Sequence, residues 1–137
     1  MTFSTAQELL DYLDQHKLTH VKVGVFDIDG VLRGKLLNRD KLTSALEGGF
    51  GFCDVIFGWD SNDQLYDNTT FTGWHTAYPD APARLLPETT RVVPFERDGK
   101  GLLILGEMGG HAEAVCPRGT LRRVLKRADE MGYEVTA

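Results

Sequence analysis

Cysteine is scarce in this chain: Cys53 and Cys116 are the only two in 137 residues. Two are too few for a disulfide scaffold. Neither has a Cys or His partner at zinc-ligand spacing, so both read as reduced thiols packed as small apolar groups. Long apolar runs are also missing. No stretch approaches the roughly 18 residues that a membrane span needs. The opening MTFSTAQELLDYLDQHK has no basic segment leading into an apolar core, which argues against a secretory signal. Positive charge is in deficit, with 15 Lys+Arg against 20 Asp+Glu and a net charge of −5. Such a balance argues against nucleic acid as the main partner, because that binding rests on neutralising phosphates. Repeats and low-complexity tracts are absent. What is there is a 42% hydrophobic, 26% charged composition, ordinary for one globular domain with its own core. These readings together place the protein in the cytoplasm.

Leu9, Leu10 and Leu13 recur at helical spacing in residues 4–16. Ser4 or Thr5 can cap that helix, and Gln7 stands three after Ser4 as a capping box requires. Val21, Val23 and Val25 alternate with Lys22 and Gly24. Asp29-Gly30 then separates two β-rich runs, which predicts antiparallel strands at 20–28 and 31–37. Asn38 caps a helix over 39–47 that Gly48-Gly49 ends. Residues 50–82 show little periodicity and read as a long functional loop. Short strands are expected at 83–86, 91–95 and 102–107, with a turn at Asp98-Gly99. Pro117 opens a last helix with Leu121, Val124, Leu125 and Ala128 as its apolar stripe and Gly132 as its stop. Glu134 to Ala137 read as the start of a strand. Strands do not alternate with crossover helices, so the pattern is that of an α+β sheet with a helix on one face.

Several groups invite chemistry. Asp27 and Asp29, in VFDIDGVL, resemble the first motif of the haloacid-dehalogenase-like phosphatases, although DxDG is also an ordinary hairpin turn. Arg33-Gly34-Lys35 can hold an anion or can be a solvated edge strand. The 50–82 loop gathers Cys53, Asp54, Trp59, Asp60, Asp63, Asp67, Trp74, His75 and Asp80. It can bind a cation or amine, or its carboxylates can simply satisfy turns. Arg118, Arg122, Arg123, Lys126 and Arg127 read as a solvated basic face of the last helix. His20 and His111 carry no signal.

In order and spacing, these pieces resemble the amino-terminal part of a glutamine synthetase family protein. Asp27, Gly30 and Arg33-Gly34-Lys35 are similar to a D-x-x-G-x-x-R-G-K pattern. Gly51-Phe52-Cys53-Asp54 with Gly58-Trp59 is similar to an F-D-G-S-S-x-x-G-W loop, with Val55-Ile56-Phe57 replacing G-S-S. Tyr78-Pro79-Asp80, then Arg91-Val92-Val93-Pro94-Phe95, then Cys116-Pro117-Arg118 running to Gly132-Tyr133 complete the likeness. The FCDVIFGWDSN-LYDN wording resembles that of the divergent bacterial members more than that of housekeeping glutamine synthetases.

The resemblance implies a β-grasp domain over residues 1–115 and a linker helix over 116–137 that leads to an absent catalytic domain. It implies a ligase that joins glutamate to ammonia or an organic amine. ATP and Mg²⁺ or Mn²⁺ would be held on the downstream domain, and the whole protein would form a homo-oligomeric ring in which each amino-terminal domain completes its neighbour's active site. Asp54 matches the family's loop carboxylate, which makes it the catalytic and substrate-binding candidate. Trp59 is a second substrate-binding candidate. Loss of the two hydroxyls of G-S-S hints at an organic amine. On this reading the chain alone is inactive and holds no cofactor or metal. The alternatives are a free-standing β-grasp binding module and the phosphatase.

Overall fold

The computed structural model describes residues 3–136. The first helix, α1 (Ala6–Gln15), is capped by Thr5, whose side chain accepts from the Glu8 amide at 3.2 Å. The Glu8 carboxylate reaches back to the amides of Ser4 and Thr5. The capping box is therefore Thr5/Glu8 and not Ser4/Gln7; Gln7 instead donates to Asp11 one turn on. Leu9, Tyr12 and Leu13 form the buried stripe.

Strands β1 (His20–Phe26) and β2 (Leu32–Asn38) pair as the expected hairpin. Gly30 turns it at φ 80°, a conformation that costs glycine nothing. Gly24 faces Gly34 across the pair, and a Cβ on Gly34 would collide with the Val23 carbonyl. Helix α2 (Arg39–Gly48) follows, with the Asn38 side chain accepting from the Lys41 amide.

The segment expected to be an irregular loop contains more order than its sequence shows. It supplies β3 (Phe50–Cys53) and a 3₁₀ turn over Asp54–Phe57, and its end begins β4 (Asp80–Val93). The strands expected at 83–86 and 91–95 are one strand, whose register slips between Leu86 and Arg91. Pro87, which has no amide to donate, lies in that interval. Thr89 patches the break, since its hydroxyl donates to the Leu86 carbonyl and accepts from the Leu105 amide. A short 3₁₀ turn at Arg97–Gly99 leads to β5 (Gly101–Met108).

The sheet order is β2-β1-β5-β4-β3, with β1 and β5 parallel and every other pair antiparallel. This is a β-grasp. Leu9, Leu13, Val21, Val23, Leu42, Leu102 and Ile104 form its main core beneath α1 and α2, each such side chain contributing about 1.5–3 kcal/mol of burial. The sheet curls enough for Lys35 on one edge strand to donate to the Gly51 carbonyl on the other and to lie over Phe52.

Helix α3 (Pro117–Glu130) departs from expectation. Its apolar stripe faces outward: Leu121 is 57% and Val124 59% exposed. Its basic face, expected in solvent, begins by gripping the body. Arg118 and Arg122 pair with buried Glu107 on β5, joined by Arg84. Periodicity finds a stripe but not its partner, and here a buried carboxylate on β5 turned the basic side inward. Glu134 to Thr136 form no strand, and Ala137 lies outside the described residues.

Candidate functional site

Sheet topology gathers the chain's turns at one end. β1 runs parallel to β5, and β3 ends where β4 starts and β5 ends, because Cys53 pairs with Asp80 and Ala83 with Met108. The β1–β2 hairpin, the turn at Asp54 and the Gly110–Ala112 turn after β5 therefore share one rim. A second core of Val25, Ile56, Phe57, Ala81, Ala83, Met108, Ala112 and Cys116 lies under it. The Ile28 amide donates to the Ile56 carbonyl and stitches two of the turns together.

The first cluster on the rim centres on Asp27, which is fully buried. Its Oδ1 accepts the amides of Asp29 and Val31 at 3.0 and 2.8 Å, and its Oδ2 accepts Arg33 Nε at 2.7 Å. Arg33 also pairs with Asp63, donates to the Asp60 carbonyl and lies 5.0 Å above the Trp59 ring. Asp27, through its hydrogen bond to the guanidinium, raises the Arg33 pKa above its ordinary value, with Asp63 adding to the effect. Arg33 is thus not a solvated edge cation, and Asp27 braces a hairpin instead of presenting a nucleophile. Trp59, a candidate for substrate binding, has one face covered by Arg33, while its buried Nε1 has no partner among the described residues. Burial, followed by the charges of Asp29, Asp60 and Asp27, pushes the Tyr66 phenol above its usual range and keeps it neutral.

The second cluster centres on Asp54, whose side chain is 1% exposed. The turn it opens comes directly after β3, and its amide donates to the Pro79 carbonyl. Unlike the side chains of Asp27, Asn38 and Asp60, that of Asp54 accepts no backbone amide among the described hydrogen bonds. The Thr72 hydroxyl donates to Oδ1 at 2.5 Å, and Nε2 of His111 lies 3.2 Å from Oδ2. Phe71 stacks on the His111 ring with centroids 5.8 Å apart. Asp54 and Trp59 thus have separate partners on one rim. His111 was unreadable in the sequence: it is a lone His after Gly109-Gly110, 57 residues from Asp54, and only topology joins them.

The other loop residues spread out. Asp60 accepts the Asn62 and Gln64 amides, Asp29 accepts that of Ser61, and His75 contacts the Thr70 carbonyl. Trp74 is 80% exposed against Tyr78. Cys53 Sγ lies 3.2 Å from the Tyr78 carbonyl, and Cys116 is buried. Among the described residues no three His, Cys, Asp or Glu side chains converge as a metal would require. Among those residues no helix is long and apolar enough to cross a membrane.

No family model matches the chain. It is 44% identical over 128 residues to type-1 glutamine synthetase 2 of Dictyostelium discoideum, covering 92% of this chain and 24% of that protein. It is 34% identical over 131 residues to a glutamate–isopropylamine ligase of a Pseudomonas species, covering 93% of this chain and 28% of that one. This chain belongs to the glutamine synthetase family. The cryo-EM structure of Plasmodium falciparum glutamine synthetase shares its fold, with a TM-score of 0.64 at 20% identity over 96% of this chain and 24% of that one. The chain spans about a quarter of the length of the curated relatives it matches. Its relatives are ligases, and its β-grasp corresponds to the amino-terminal domain of glutamine synthetases.

Proposed function

We propose that residues 1–115 are the amino-terminal domain of an ATP-dependent carboxylate–amine ligase and that 116–137 form the linker helix into its catalytic domain. The reaction joins glutamate to ammonia or an organic amine. One of the relatives is a glutamate–isopropylamine ligase, which favours an organic amine. Beside Asp54, Ile56 and Phe57 are buried in the second core, so of the three apolar residues only part-buried Val55 is left to meet an alkyl substituent. The full protein works as a homo-oligomeric ring in the cytoplasm, where the rim bearing Asp54 and Trp59 completes a neighbouring subunit's active site. ATP and Mg²⁺ or Mn²⁺ belong to the remainder of that protein. The converging acidic side chains a divalent ion needs are not found among the described residues here, so no step is assigned to those groups in this chain.

The observation that carries the reading is Asp54, a buried acid on an open rim with no Lys or Arg among its described partners. A carboxylate without a fixed cation attracts one, and an ammonium ion fits. The outward stripe of α3 supports a domain that continues, where a free-standing module would leave those side chains in water. The test is product formation. The full-length protein, given glutamate, ATP, Mg²⁺ and either ammonia or isopropylamine, should yield a γ-glutamyl amide, while purified 1–137 should neither hydrolyse ATP nor form product. A full-length protein inactive with every amine offered overturns the proposal.

A further inference from the structure

Resting on that ligase reading, we infer that the group meeting the amine is His111, with Asp54 as the positioning residue behind it. Asp54 is 1% exposed and has both oxygens engaged, whereas the His111 side chain is 46% exposed. An ionised carboxylate only accepts hydrogen bonds, so the ring nitrogen facing it, Nε2, carries the hydrogen. In the neutral ring Nδ1 is then the bare acceptor. Phe71 fixes one ring face by stacking, and Thr72 holds the other carboxylate oxygen, so the pair has little freedom to turn.

A buried acid that orients an imidazole whose other nitrogen is free is the arrangement of a general base. The proton leaves the nitrogen of the ammonium or alkylammonium ion and arrives on Nδ1, and the neutral amine so released is the nucleophile. The resulting imidazolium keeps its Nε2–H on Asp54, and that carboxylate stabilises the new charge. The substrate class is a primary amine or ammonia, held by an N–H donated to Nδ1.

The test has two arms. In ¹⁵N-histidine NMR of the 137-residue chain, His111 should show a protonated Nε2 and a bare Nδ1, and Asp54→Asn should raise the share of the other tautomer. A wild-type His111 protonated at Nδ1 overturns the inference. In the full-length protein, His111→Ala should lower kcat/KM for the amine about 10²–10⁴-fold and leave the KM for ATP within about twofold. Added imidazole should restore at least a tenth of the lost rate. His111→Ala with near wild-type turnover, or a loss that imidazole does not relieve, overturns the inference and leaves the ligase reading standing. Wild-type protein that makes no γ-glutamyl amide overturns the reading itself.

Discussion

Two aspartates, Asp27 and Asp54, are buried on the same rim of the sheet, yet their surroundings differ. Asp27 accepts two backbone amides and an arginine, so every part of its charge is answered within the chain. Asp54 accepts one hydroxyl and one half-exposed imidazole, and no amide or arginine among the described contacts. Burying a charge is expensive unless it is paired. A fold that pairs one acid fully and leaves another with only a hydroxyl and an imidazole has put the first to structural use and left the second available for chemistry at the rim. Burial alone does not separate the two roles; the partner set does.

The largest expected effect tests the Asp54 side of that contrast. In the full-length protein, Asp54→Asn should cut amine-dependent turnover by about 10²–10⁴, with ATP binding nearly unchanged. The amide oxygen can still accept from Thr72, and the amide nitrogen can donate to His111 Nε2 once that ring carries its hydrogen on Nδ1, so the loss of stability should be no more than about 1 kcal/mol. Steady-state kinetics with varied amine, run beside a thermal melt, measures both. Wild-type kinetics with a lowered melting point would make Asp54 a second Asp27.

The reverse pattern is expected at Asp27. Asp27→Asn removes one charge opposite Arg33, which is part-exposed and keeps Asp63, so the cost should be about 1–3 kcal/mol. Denaturant unfolding of the chain should show the loss. Titration with Mg²⁺, followed by NMR, should leave the Asp27 and Asp29 amides unmoved, because both Asp27 oxygens are already engaged. Saturable shifts centred there would return the phosphatase reading to contention.

Helices α1 and α3 repeat the comparison in apolar residues. Both carry stripes at helical spacing, but Leu13 is fully buried while Leu121 is 57% exposed. Leu13→Ala should destabilise the 137-residue chain by about 2–5 kcal/mol. Leu121→Ala should change it by no more than about 0.5 kcal/mol. Equal losses in chemical unfolding would mean that α3 folds back on the body in solution.

The sequence revealed most where the physics is local. The hairpin at Asp29-Gly30, the Asn38 cap and the Pro117 helix start each depend on residues within a few positions of one another, and each is present. The β-grasp came from the order of motifs. What was hidden depends on distant partners. Val55-Ile56-Phe57 looks like loop sequence until a second core receives it, and Leu86 and Arg91 look like two strands until β5 pairs with both. His111 has meaning only once β5 delivers it to Asp54. The facing of α3 was misread for the same reason, since Glu107 lies outside the helix that it orients.

That last contact provides the smallest expected effect. Glu107 is buried on β5 against Arg84, Arg118 and Arg122. Burial pushes its carboxyl upward, but hydrogen bonds from Arg122 and then Arg84 outweigh this and hold it below its ordinary value of 4.5. A carboxyl depressed in the folded state adds stability that is present above the unfolded value and lost as pH falls through the folded one. The attachment of α3 should therefore hold at neutral pH and loosen only below that ordinary value of 4.5. Its worth should be about 1 kcal/mol, because the arginines are largely solvated. In an acid titration followed by NMR, the Gly119 and Arg122 amides should move together below that point, and Glu107→Gln should abolish the movement at all pH values. Amides that move identically in the variant would show that α3 is held by something other than this carboxylate.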